Sequence, residues 1–95
     1  GIFSVNDGGA MGALSAIQGS GKDIKLTSVD GAPEAVKAIA DGTPFIETTA
    51  QFPRDQVRVG LAMALAQKWG ARVVPKEVPI DVMVVDSKNA GEFSW

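Results

Sequence analysis

Three polar side chains in this 95-residue chain each follow a short apolar run, and their types suit a ligand rich in hydroxyl groups. Asn6 follows Ile2–Val5, Asp30 follows Ile24–Val29, and Gln51 follows Phe45–Ala50. Asn and Gln each offer a donor and an acceptor, and an ionised Asp accepts from two neighbouring hydroxyls. Neither Lys nor Arg lies at these run ends, so the set suits an uncharged polyhydroxyl compound better than a phosphate. Polar residues after strands also cap helices and build turns, and composition alone leaves both readings open.

Other chemistries have less support. The chain has no histidine and no cysteine, which removes a histidine base, a thiol nucleophile, a disulfide framework and the usual zinc ligands. Ser4 and Ser28 fall inside strands with no base to activate them, so no catalytic residue is assigned. Asp7 and Asp30 end neighbouring strands, but Asp7 is accounted for as a helix N-cap. Gly19–Ser20–Gly21–Lys22 has the look of a phosphate loop. It lacks the earlier glycine, since position 16 is Ala16, and Asp23 stands where Ser or Thr is needed. Gly8, Gly9 and Gly12 do not give the dinucleotide spacing. No cofactor and no metal are expected.

The elements that position the three polar residues follow from periodicity. Asn6 and Asp30 are 24 positions apart, and Asp30 and Gln51 are 21 apart, about one strand plus one crossover helix. Continuous apolar runs indicate strands covered on both faces, as in a parallel sheet. Ala10, Met11, Leu14 and Ile17 recur at helical spacing, and Gly19–Ser20–Gly21 stops that helix. Pro33 opens a second helix with Val36 and Ile39 on its buried side, ended by Asp41–Gly42. Pro53 breaks the third strand, and a helix follows from about Arg54 to Trp69 with a stripe of Val57, Leu61, Ala64 and Leu65. A connector over 73–78 leads to a last strand at Ile80–Val85, and Phe93 and Trp95 are expected to dock on the body. The predicted class is α/β, built of parallel-sheet βα units of a Rossmann-like or flavodoxin-like lobe. In open sheets of this kind, ligands bind outside the carboxyl ends of the strands.

Formal net charge is −2 and the basic residues are scattered, which weighs against a basic nucleic-acid face. Hydrophobic residues make up 45% and charged residues 21%, enough apolar content for one folded core. No apolar run reaches the roughly 18–20 residues a membrane helix needs. Gly1 leads straight into an apolar strand, so the chain is expected to be the carboxyl-terminal piece of a longer polypeptide, with any signal peptide upstream.

The ordered motifs carry a resemblance. Phe3-x-Val5-Asn6-Asp7 with Ala10 and Gly12-Ala13-Leu14, then Ser28-Val29-Asp30-Gly31-x-Pro33-Glu34, then Asp41-Gly42 and Thr48-Thr49-Ala50-Gln51-x-Pro53 resemble the ribose-binding-protein type of periplasmic sugar-binding proteins. These are the solute-binding components of ABC transporters, and the match corresponds to about their last third. The resemblance implies a type I periplasmic-binding-protein fold, no enzymatic activity, a periplasmic location and a membrane permease as partner. It also implies that Asn6, Asp30 and Gln51 bind sugar or polyol hydroxyls. Val29 departs from the family, where an aromatic is frequent. The family's chain crosses between two lobes, which implies a hinge at Gln51, Phe52, Pro53 and Pro79. Residues 1–51 and 80–95 then belong to the carboxyl-terminal lobe, and 52–79 form a helix and connector packed in the amino-terminal lobe. On its own, this chain is expected to expose the apolar face of helix 54–69, and that face is the expected route to self-association. The alternative is the effector-binding domain of a LacI-type transcription regulator, which shares the fold and the Asn–Asp and Asp–Gly landmarks.

Overall fold

A computed structural model describes all 95 residues, Gly1–Trp95. Strands and helices alternate as β1 (Ile2–Phe3), α1 (Asp7–Ser20), β2 (Leu26–Asp30), α2 (Pro33–Ala40), β3 (Phe45–Ala50), α3 (Pro53–Lys68) and β4 (Met83–Asp86). The four strands form one sheet in the order β1-β2-β3-β4. β1, β2 and β3 run parallel. Sequential neighbours joined by crossovers of one hand place both helices on the same face, and α1 and α2 pack against each other there.

That face holds the core. Ala10, Leu14 and Ile17 of α1 and Ala35, Val36, Ala38 and Ile39 of α2 close over Leu26, Phe45, Ala50 and Val85. Each large side chain so buried contributes about 1.5–3 kcal/mol. β3 has one residue more than strict pairing allows. Leu26 pairs with Phe45, but Thr27 pairs with Glu47, so Ile46 is the extra residue of a bulge. A bulge reverses the inside–outside alternation. Phe45, Thr48 and Ala50 all face the helices for that reason, and Ile46 is exposed. The opposite face of the sheet is bare, with Phe3 and Val84 exposed on it.

The expected last strand is corrected in extent. Strand pairing covers Met83–Asp86, not Ile80–Val85, and β4 is antiparallel to β3. The register gives the cause. Met83 pairs with Ala50, so the chain re-enters the sheet beside the point where β3 leaves it, after travelling out along α3 and back. No helix crosses over the sheet between the two strands. The second strand likewise begins at Leu26, later than Ile24.

α3 begins at Pro53 and projects from the body. Its 16 residues make a rod about 24 Å long. None of them is buried; Val57 is 69% exposed and Leu61 58%. The molecule measures 60 × 23 × 16 Å in consequence. The expected bare apolar face on this helix is therefore present. Phe93 and Trp95 dock as expected, and their partner is Phe52, with ring centroids 5.8–6.2 Å apart among the three.

Candidate functional site at the strand ends

Asn6 lies in the loop from β1 to α1, Asp30 is the last residue of β2, and Gln51 directly follows β3. Parallel neighbours therefore present all three along one edge of the sheet. Gln51 Nε2 reaches Asp30 Oδ1 at 3.5 Å, and the Gln51 N–H donates to the Asp30 carbonyl at 3.3 Å. The Asp7 N–H donates to Asp30 Oδ2 at 3.2 Å, which brings the Asn6–Asp7 segment against the same carboxylate. Asp30 and Gln51 are half-buried, and Asn6 is exposed. None of the four cavities of the molecule is lined by any of the three, so they form an open wall. A separate groove of about 450 Å³ lies between α2 and the tail, bordered by Val36, Phe93 and Trp95.

The N-cap assignment is corrected. Asn6, with extended backbone, caps α1 by accepting the Gly9 N–H on Oδ1 at 2.7 Å. Its Nδ2 protons remain for another partner. Asp7 is the first helical residue, and its carboxylate turns inward, 1% exposed. Oδ1 accepts from the hydroxyls of Ser28 and of Thr48, the latter at 2.7 Å, and Oδ2 accepts the Ala32 N–H at 2.6 Å. A buried carboxylate without a cation is costly, and here three donors and two helix N-termini, those of α1 and α2, offset it. Sequence reasoning missed this cluster. The available signal was Ser28 and Thr48, hydroxyl residues on core-facing positions of two strands otherwise filled by apolar side chains.

Asp30 has φ 139°, a region that only glycine adopts without strain. Phe52, directly after Gln51, has φ 51° and starts α3 without a side-chain cap. One unusual conformation lies within the polar wall and the other directly beside it, where β2 and β3 end. Elsewhere, fully exposed Asp23 is held below the ordinary aspartate value of 3.8 by a hydrogen bond from Lys25 Nζ and then by its charge. It sits at the opposite end of β2 from the wall. No group of three metal-ligating side chains gathers anywhere.

The wall can supply amide donors and a carboxylate acceptor to an uncharged ligand. Residues 1–71 match the family described as periplasmic binding protein domain. The ribose import binding protein of Salmonella typhimurium is 36% identical over 85 residues, which is 88% of this chain and 28% of that protein. A periplasmic solute binding protein of an ABC transporter from Actinobacillus succinogenes, solved with bound D-allose, superposes with a TM-score of 0.88 at 29% identity. It covers 97% of this chain, which covers 33% of it. The Caulobacter myo-inositol binding protein, solved with myo-inositol, gives 0.84 at 33% identity, covering 98% of this chain and 32% of its own. The chain thus spans about a third or less of the length of these relatives. Matched in sequence over most of its length and in fold over nearly all of it, this chain belongs to the periplasmic binding protein domain family.

Proposed function

We propose that this chain is the carboxyl-terminal part of a periplasmic sugar- or polyol-binding component of an ABC transporter, delivering its ligand to a membrane permease without covalent chemistry. Asn6, Asp30 and Gln51 supply one wall of the ligand site, hydrogen bonding to ring hydroxyls. The observation that carries the reading is the alignment of these three side chains at adjacent strand ends, with the Asp30 carboxylate contacted by both neighbouring segments. Relatives that bind ribose, D-allose and myo-inositol support it. Nothing in those comparisons favours the transcription-regulator alternative.

In the longer protein, residues 1–51 and 80–95 form part of one lobe, and 52–79 reach into the other. The bare face of α3 supports this division, since Val57 and Leu61 need partners that this chain does not contain. Closure turns on Gln51, Phe52, Pro53 and Pro79, and ligand contacts to both lobes favour the closed form. Taken alone, the chain self-associates through the α3 face.

A thermal-shift screen of the full-length protein against pentoses, hexoses and inositols tests the function. A ligand at 100 times its dissociation constant adds about 2.7 kcal/mol, enough to raise the midpoint by several degrees. A flat response to every sugar and polyol would remove the proposal.

A further inference from the structure

We propose that Asp7 and Thr48, both out of reach of any ligand, are positioning residues that hold Asp30 in its strained backbone and so aim its carboxylate into the site. This rests on the sugar-binding reading above for its consequence, but not for its geometry. Asp30 at φ 139° persists only if the surrounding structure over-determines it. The two amides that follow it are both tied into the core. The Gly31 N–H donates to Thr48 Oγ1 at 3.2 Å, and the Ala32 N–H donates to Asp7 Oδ2 at 2.6 Å. The turn is thus pinned at successive residues by two side chains from different elements.

The two anchors are one unit. An ionised carboxylate only accepts, so the Thr48 hydroxyl proton is committed to Asp7 Oδ1, and a lone pair of that hydroxyl is left for the Gly31 N–H. Ser28 donates to the same Oδ1. Asp7 also donates its own N–H to Asp30 Oδ2, setting the carboxylate it helps to aim. Asparagine cannot replace Asp7. With its amide nitrogen at the Oδ2 position, a donor faces the Ala32 N–H. With the nitrogen at the Oδ1 position, the protons of Ser28 and Thr48 lose their acceptor, and both residues are 0% exposed.

The test uses the full-length protein without ligand first. Hydrogen exchange of the Gly31 and Ala32 amides is measured in the wild type and in Asp7→Asn, Thr48→Val and Thr48→Ser. Exchange should accelerate roughly 10-fold or more in D7N and T48V while amides in the middle of α2 keep their protection, and T48S should restore the wild-type rates. Titrations with D-ribose, D-allose and myo-inositol follow. T48V should weaken binding of whichever sugar the wild type takes, and should add nothing in an Asp30→Asn background. Unchanged exchange at Gly31 and Ala32 overturns the proposal, as does an equal loss of affinity from T48V with and without D30N. If the wild type binds none of these three compounds, the exchange rates alone decide the positioning role.

Discussion

The Gln51 side-chain amide stands 3.5 Å from Asp30 Oδ1, at the outer limit of a hydrogen bond, and links the ends of β2 and β3. A contact this long leaves both groups most of their capacity for a ligand. Replacing Asp30 by Ala should cost about 1.5–3 kcal/mol of sugar affinity in the full-length protein, and Gln51 by Ala about 0.5–1.5. Glycine at position 30 separates strain from binding. D30G should bind as poorly as D30A by calorimetry, yet unfold with about 1 kcal/mol more stability, because φ 139° suits glycine. Equal stabilities would show that the backbone is not strained.

Asn6 has two tasks that substitution can divide. Asn6→Ala removes the acceptor for the Gly9 N–H and should lower stability by about 1 kcal/mol. Asn6→Asp keeps that acceptor at a helix N-terminus and should hold stability while removing the Nδ2 donor. Denaturation and sugar titration on the pair check this: N6D should fold as well as wild type and bind more weakly. Full affinity in N6D would confine Asn6 to capping.

Gly31 is fixed by a close approach of backbones. A Cβ there would lie 2.7 Å from the Ala50 Cβ and 2.9 Å from its Cα, at a φ of 79°. Backbone on the far side cannot yield as a flexible side chain would. Gly31→Ala should therefore destabilise by about 1–3 kcal/mol from overpacking, with a further loss from the positive φ. Urea denaturation showing less than about 0.5 kcal/mol of change would contradict the packing described.

The exposed face of α3 predicts behaviour in solution. The isolated Gly1–Trp95 chain should associate with rising concentration, and Val57→Gln with Leu61→Gln should weaken that association about 10-fold or more. Both residues are already exposed, so the helix itself should be little affected. Sedimentation velocity distinguishes the outcomes, and a wild-type chain that stays monomeric at high concentration would remove self-association.

The alternation of strand and helix was readable because its causes are local. Ala10, Leu14 and Ile17 repeat at helical spacing, Gly21 takes φ 67° at the end of α1, and Pro33 opens α2, each a consequence of a few neighbouring residues. The positions of Asn6, Asp30 and Gln51 were readable for a related reason. A repeat of one strand plus one helix brings every strand end to the same edge of a parallel sheet. Local rules failed where two residues qualify equally or where direction matters. Asn6 and Asp7 are both good caps, and the one that caps was decided by hydroxyls 21 and 41 residues further on, which claimed the Asp7 carboxylate. An apolar run such as 80–85 has no polarity of its own, so the antiparallel entry of β4 depended on where α3 delivered the chain.

The sequence by itself thus determined the elements, their order and which polar groups end the strands, because spacing and capping act over a few residues. Only the tertiary structure decided that Asn6 spends one of its groups on a cap, that Ile46 bulges out, and that Asp30 is held at φ 139° by a carboxylate and a hydroxyl from other segments. Those outcomes depend on contacts between segments, and a buried charge takes whatever donors the folded chain brings to it.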